Sequence, residues 1–477
     1  MSRLRTHYPL RATILEGRFF QLSENEILHS ISLEYTSELT RLHSAYSIPE
    51  PDHPRPEISS PSFRIYGTEY DEVNRTLVGV LALRWIHFND YESFVGCQPN
   101  SVKLRPQSFN WICNIYRKTI KSNEDLFTLI TSTVINDLGK APSLTTDYAK
   151  LTGTDINKVN HDMILYQVIH HPAVAETLVP SLTKVSSEHK HDLSLGIKLG
   201  AEFNFGQLAQ AENVPACLSG LKTDLKNNPR AFEMRFMEQL LDIAGAAGHT
   251  DYTCARKLVE PIFDSYKNVY DVAIDIISGN LGLREGYDII LIRRVELLQR
   301  VGWKRAESLN IRDKEKRALM RLLCIGGAAS IKTADLYYQT FTAVNLSRTV
   351  YEGLVEGLNV DGSLEQPAVQ PTYLPAMCGL AIANTANGTT GEKMKALTAL
   401  LTYLSRVLVI DKDSLSFKRL PEGVIVVERD LRQTIQPILE SAAFKHKPDI
   451  LTDAPMPRDQ VAKMADGYEW SFTAISI

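Results

Sequence analysis

The sequence predicts a mainly α, multi-helical protein with a small C-terminal β-hairpin, and three observations carry that prediction. Apolar residues recur at helical spacing through most of the chain from Ser23 onward. The one clear run of strand character is EGVIVVERD, residues 422–430, with Ser416–Leu420 before it as a hairpin partner. Composition, 44% hydrophobic and 23% charged, is that of a chain that buries a core and is far from disordered or fibrous classes.

At 477 residues the chain exceeds one simple core. Its pattern divides it at 1–63, 64–271, 272–359 and 360–477. Arg11–Phe20 reads as a short strand. The segment from Ser23 to Tyr46 reads as a helix, because Ser23 with Glu26 three residues on forms a capping box ahead of a periodic apolar face. Prolines at 49, 51, 54, 56 and 61 make 48–63 a linker or strap without regular structure. Helices follow at Pro106–Lys121, Asn123–Leu138, Asp155–His171 and Pro229–Gly245, and 272–359 reads as a lobe of long basic helices. Residues 361–375 read as a proline-bearing loop and 386–393, ANGTTGEK, as a turn.

The net charge of −4 points to neither a general nucleic-acid binder nor an acidic scaffold, so any nucleic-acid contact must come from a local patch. The six cysteines form no C-x-x-C pair, which suggests reduced, mostly buried thiols and neither a zinc knuckle nor a redox dithiol. No signal-peptide pattern opens the sequence and no run reaches the length of a membrane span, so the expected location is the cytoplasm, away from membranes.

Residues 135–140, Ile-Asn-Asp-Leu-Gly-Lys, resemble the signature of HD-domain phosphohydrolases, helical enzymes in which a His-Asp pair and further histidines hold divalent metals. Lys150–Asp155 is similar to the loop that follows that signature; His161-Asp162, His170-His171 and Asp242 stand where later ligands would fall. The resemblance implies an HD-like helical core, but Asn136 replaces the signature histidine and no histidine lies between His87 and His161. A metal site needs converging imidazoles and carboxylates, so the expectation here is no metal. On the plain reading Asp137, Gly139 and Lys140 simply end a helix.

Residues 196–218, GIKLGAEFNFGQLAQAENVPACL, set Glu202, Asn204, Gln207 and Glu212 among apolar residues and glycines. They are candidates for a polar pocket, in which an acidic member suits a planar guanidinium, or else the polar face of a surface helix. His249 and Asp251 follow the GAAG stretch at a junction read as the end of one helix and the start of the next, where a histidine serves proton transfer or caps and packs. From Ile290 to Arg321, ten basic residues face four acidic ones, the strongest nucleic-acid footprint in the chain; Arg293, Arg294, Lys304, Arg305, Lys316 and Arg317 are its candidates, with Trp303 placed to stack on a base. The alternative is a solvated helix face with ion pairs.

Several segments together, among them ATILEGRFFQLSENEILHSISLEYTSELTRLHSAY, CNIYRKTI, VINDLGKAPSL, NHDMILYQVIHHP, GAEFNFGQLAQAENVPACL and DIAGAAGH, are similar to a fungal family of arginine-containing cyclodipeptide synthases. The resemblance implies an enzyme that takes arginine from arginyl-tRNA, joins it to a second amino acid from another charged tRNA and releases a cyclic dipeptide. Such esters are already activated, so no cofactor is implied; the needs are positioning, a base and oxyanion donors. His161 and His249, with Asp137 and Asp251, are the acid–base candidates, and Glu202 or Glu212 is the guanidinium partner. An HD-type metal phosphohydrolase and a non-catalytic helical binding protein are the alternatives.

Overall fold

The computed structural model describes residues 9–46, 56–157, 159–342 and 346–468, and its architecture is mainly α with one three-stranded sheet. The chain divides into two units. Among the described residues, one comprises those up to Ala201 together with Asp224–Lys267; the other comprises Glu202–Thr223 and Asn268–Tyr468. The second boundary falls close to the 271/272 division, but residues 202–223 join the later part of the chain rather than the helical core that precedes them.

At the centre of the first unit is the Asp71–His87 helix, buried from Glu72 to Leu83 without a solvent face. A helix that is apolar nearly all round belongs inside a bundle. Its main neighbour is the Pro229–Gly245 helix, whose observed bounds match the predicted ones. Glycines set how closely the two approach: a Cβ at Gly245 would stand 2.1 Å from the Arg75 carbonyl oxygen, and one at Gly79 would stand 2.9 Å from that of Leu241. Pro106–Thr119 and Asn123–Ile135 pack on the same helix. The predicted Asp155–His171 helix is shorter, His161–His170, with Asn160 as its N-cap.

Several local expectations are corrected. Arg11–Phe20 is no strand: Leu10–Leu15 is a helix that buries Leu10, Thr13 and Ile14 on one face, and Phe19–Gln21 is a 3-10 turn. The Ser23–Glu26 capping box is present and opens Glu24–Glu34, after which the chain breaks at Tyr35 and resumes as Thr36–Leu42. Within the proline-rich stretch, Pro49, Pro51 and Pro54 lie outside the described residues, whereas Pro61 opens the Pro61–Tyr66 helix behind the Ser60 cap. Proline at the first helical position loses no internal hydrogen bond.

The second unit contains the sheet. Strands β1 (Ala368–Thr372), β2 (Val424–Asp430) and β3 (Gln460–Met464) lie in that order, with β1 parallel and β3 antiparallel to β2. The expected hairpin does not form: Leu415–Lys418 is a helical turn, and the partners of β2 among the described residues come from the stretch read as a loop and from the C-terminal region. Pro371 does not prevent pairing because β1 is an edge strand with one side free of the ladder. The crossover from β1 to β2 holds the Leu374–Ala383 and Thr390–Val407 helices, as a parallel connection requires. No described helix is long and apolar enough to cross a membrane.

The glycine contact gives a direct expectation. Gly245→Ala must push the two central helices apart at a backbone atom, so it should cost about 1–3 kcal/mol or more in urea unfolding. Alanine at Gly153, around which 4 Å of space is empty, meets no such neighbour despite its positive φ, and should cost less.

Candidate functional site

In the first unit residues 136–140 take part in a buried ionic network. Lys140 Nζ lies 2.6 Å from Glu72 Oε1 and 2.8 Å from Asp137 Oδ1. Arg75 binds both oxygens of Glu72, at 3.1 and 3.0 Å. The Asn136 side-chain carbonyl accepts from Arg235 Nη1 at 2.7 Å, and the same nitrogen donates to Glu238 at 2.6 Å. Gly196 and Gly200 leave the space that Arg235 fills, since a Cβ at Gly200 would meet its Nη2 at 2.2 Å. His161 is partly exposed, with Nε2 4.0 Å from Asp137 and 3.9 Å from Asp162. The structure thus brings together the predicted pair His161 and Asp137, but an ammonium and two guanidiniums stand among the carboxylates where a metal would bridge them. That donor set does not suit a divalent cation.

Burial tends to push every carboxyl here up, and the cations decide the outcome. At Asp137, Lys140 and Arg75 outweigh burial and hold the carboxyl charged, well below the ordinary range. Glu72 rises to about 7 through burial and repulsion from Asp137, against Lys140 and Arg75. Glu238 rises to about 8, with burial prevailing over Arg235.

The other predicted acid–base residues lie elsewhere. His249 follows the close approach of Gly248 to Asn74, and both its ring nitrogens are shut off from solvent. That is the placement of a packing histidine. Asp251 caps no helix, the next one beginning only at Glu260; its Oδ1 accepts from the Thr253 backbone and hydroxyl, and its Oδ2 from the Cys97 thiol.

In the second unit a polar cluster forms beneath the sheet. Of the four predicted pocket residues, Asn204 is a helix cap, accepting from the Gly206 and Gln207 N–H groups at 2.8 and 3.3 Å. Glu202 is paired with Lys463 of β3 and has no charge to spare for a ligand. Gln207 accepts from Gln370 Nε2 at 3.1 Å, and Gln370 in turn accepts from Asn213 at 2.8 Å. Glu212, 4% exposed, takes backbone N–H bonds from Tyr373 and Leu374 at the start of the Leu374–Ala383 helix, the end where the helix dipole favours an anion. Its Oε1 is buried without a hydrogen-bond partner among the described residues.

The sequence reading missed two acids beside it. Glu428 and Asp430 on β2 both repel the Glu212 charge, and with burial as the larger cause they push its carboxyl up to about 8. Glu428 accepts from Thr372 at 2.8 Å, and Asp430 lies 3.5 Å from Arg432, whose guanidinium rests 4.5 Å over the Tyr373 ring. Arg321 fixes the chain at Glu212. Fully buried, it donates to the carbonyls of Ala211, Glu212, Asn213 and Leu358 at 3.0–3.3 Å.

The basic footprint is largely used internally. Arg317 is buried and paired with Asp288 at 2.7 Å; Arg293 and Arg294 donate to the carbonyls of Asn268 and Ala328. Lys316 stands 3.6 Å from Asp313, and Arg305 3.5 Å from Asp335 and over Tyr338. Trp303, 2% exposed, donates to Asp335 and cannot stack on a base. Of the six named candidates Lys304 is exposed and makes no ion pair among the described residues, with Arg300, Arg312 and Lys314 exposed nearby in sequence.

Two expectations follow. Removing one member of a buried ion pair strands its partner, so Lys140→Ala should destabilise the chain by about 3–5 kcal/mol in urea unfolding. Glu212 binds its proton more tightly folded than unfolded, so the stability it contributes is full below its unfolded value of 4.5 and is lost as pH rises through about 8. The urea midpoint should therefore fall between pH 5 and 8, and by less in Glu212→Gln; equal falls in both proteins would exclude this assignment.

Residues 28–451 match the model of a family of unknown function (DUF6829), and the chain belongs to that family. No curated protein and no solved structure matches it.

Proposed function

For a chain of this family with a carboxylate triad beneath its sheet, we propose an arginine-directed aminoacyltransferase, a cyclodipeptide synthase that draws arginine from arginyl-tRNA. The observation that carries the reading is Glu212 Oε1, a buried acceptor without a partner beside Glu428 and Asp430. Three carboxylates in one place repel one another, and a planar cation that bonds them bidentately relieves the repulsion. A guanidinium meets both demands. Arg432, stacked on Tyr373 and paired with Asp430, is a guanidinium already held beside this cluster.

In the proposed reaction the amine of the second amino acid attacks the arginyl ester carbonyl. A C–N bond forms, the C–O bond to the tRNA breaks, and the amine's proton passes to a base while the tRNA leaves as its alcohol. A second attack, by the free amine of the dipeptide on the remaining ester, closes the ring and releases the second tRNA. Both esters are activated beforehand, so no cofactor enters. In the second unit, exposed Arg300, Lys304, Arg312 and Lys314 are the groups suited to tRNA phosphates. Charged tRNA as substrate implies a cytoplasmic enzyme. The HD-type hydrolase reading has the Lys140 ammonium against it.

The test is mass spectrometry of extracts from a heterologous host making the full chain. Cyclic dipeptides of arginine should appear with the native protein and fall about tenfold or more with Glu212→Gln, a loss of roughly one charge-assisted pair. A soluble native chain that yields no such product sinks the proposal, as does a Glu212→Gln yield equal to the native one.

A further inference from the structure

Outside both clusters, the first unit brings three metal-binding side chains together at a place that the reactions above do not use. Cys97 lies in the loop after the Tyr91–Val95 helix, and Asp251 and Cys254 lie in the loop after Pro229–Gly245. The two sulfurs are 3.3 Å apart, Cys97 Sγ contacts Asp251 Oδ2, and one ligand atom from each residue falls within 4.8 Å of the others. We propose that Cys97, Asp251 and Cys254 bind a thiophilic divalent cation, Zn2+ by preference.

The scaffold around the three is fixed. Ala255 N donates to the Phe94 carbonyl at 2.9 Å, and Gln98 Nε2 donates to Ala255 and Leu258 carbonyls at 2.6 and 3.1 Å. These bonds hold the two loops together on either side of the thiols. Gly96 lets them close: a Cβ there would stand 2.6 Å from the Cys254 Cβ, and its φ of +27° is one that a side chain disfavours. Asp251 is oriented as metal-ligating carboxylates are. Thr253 occupies Oδ1 through its backbone and hydroxyl, and Oδ2 is left facing the sulfurs.

Ligand type and charge both favour this cation. Two thiolates with a carboxylate select a soft to borderline metal over magnesium or calcium. Zinc–sulfur bonds of about 2.3 Å at a tetrahedral angle place two sulfurs about 3.8 Å apart, so the pair needs to open by about half an ångström. Two thiolates and one carboxylate around a divalent ion leave one negative charge. Arg256 answers it, with Nη1 3.6 Å from Cys97 Sγ and 3.5 Å from Asp251 Oδ2. Cys97 is exposed, which gives the ion a way in from solvent.

The experiment titrates Co2+ into the full-length chain, reduced and stripped of metal, and follows thiolate-to-cobalt charge-transfer absorption. One equivalent should saturate the band, and Zn2+ should abolish it by displacement. Cys97→Ser, at an exposed position that the fold tolerates, should remove most of the band, and Asp251→Asn should weaken binding about tenfold or more. Absence of the band in the reduced native chain overturns the proposal. So does a band that survives Cys97→Ser unchanged, or mass and thiol counts showing that the pair only forms a disulfide and takes up no metal when reduced.

Discussion

A lysine ammonium without water must find carboxylates, and that requirement organises the first unit. Lys140 is 8% exposed, yet it touches both Glu72 on the central helix and Asp137 at the end of the Asn123–Ile135 helix. Isolated buried charge costs many kcal/mol, so the network closes only when both elements are in place. Arg75 and Arg235 extend the same constraint to the Pro229–Gly245 helix and to Asn136. The segment that resembles a metal-binding signature therefore holds its carboxylates together with protein cations.

The second unit solves the same problem for another buried cation with different acceptors. Among the described residues Arg321 has no carboxylate partner and is satisfied by four carbonyls. Those bonds fix residues 211–213 and so aim Glu212 at β2. The acidic cluster is in this sense positioned by a cation bonded to its backbone. Tyr287 lies beside the Arg317 and Arg321 guanidiniums and completes their packing.

Local chemistry was legible in the sequence, and pairing across distance was not. The Ser23 capping box and the bounds of Pro229–Gly245 both follow from residues within a few positions of one another. The sheet does not. β1 and β2 are joined through Ala368↔Val426 and its successors, and Pro371 in β1 argued locally for a loop. Glu428 and Asp430 reach Glu212 only through that pairing. Likewise Cys97 and Cys254 lie 157 positions apart, so spacing rules for metal motifs had nothing to find. The basic run from Arg293 to Arg317 looked like a surface, and no local signal told that Arg317 would meet Asp288 inside.

The Arg321 clamp also bears on how the second unit moves. Its acceptors come from two stretches, 211–213 and Leu358, and a guanidinium pulled from one carbonyl in a dry interior gains nothing until it reaches water. Small excursions of this loop are therefore uphill with no intermediate resting place. The backbone amides around Glu212 are expected to exchange with solvent together, in one concerted opening, while the exposed helices around them fray turn by turn.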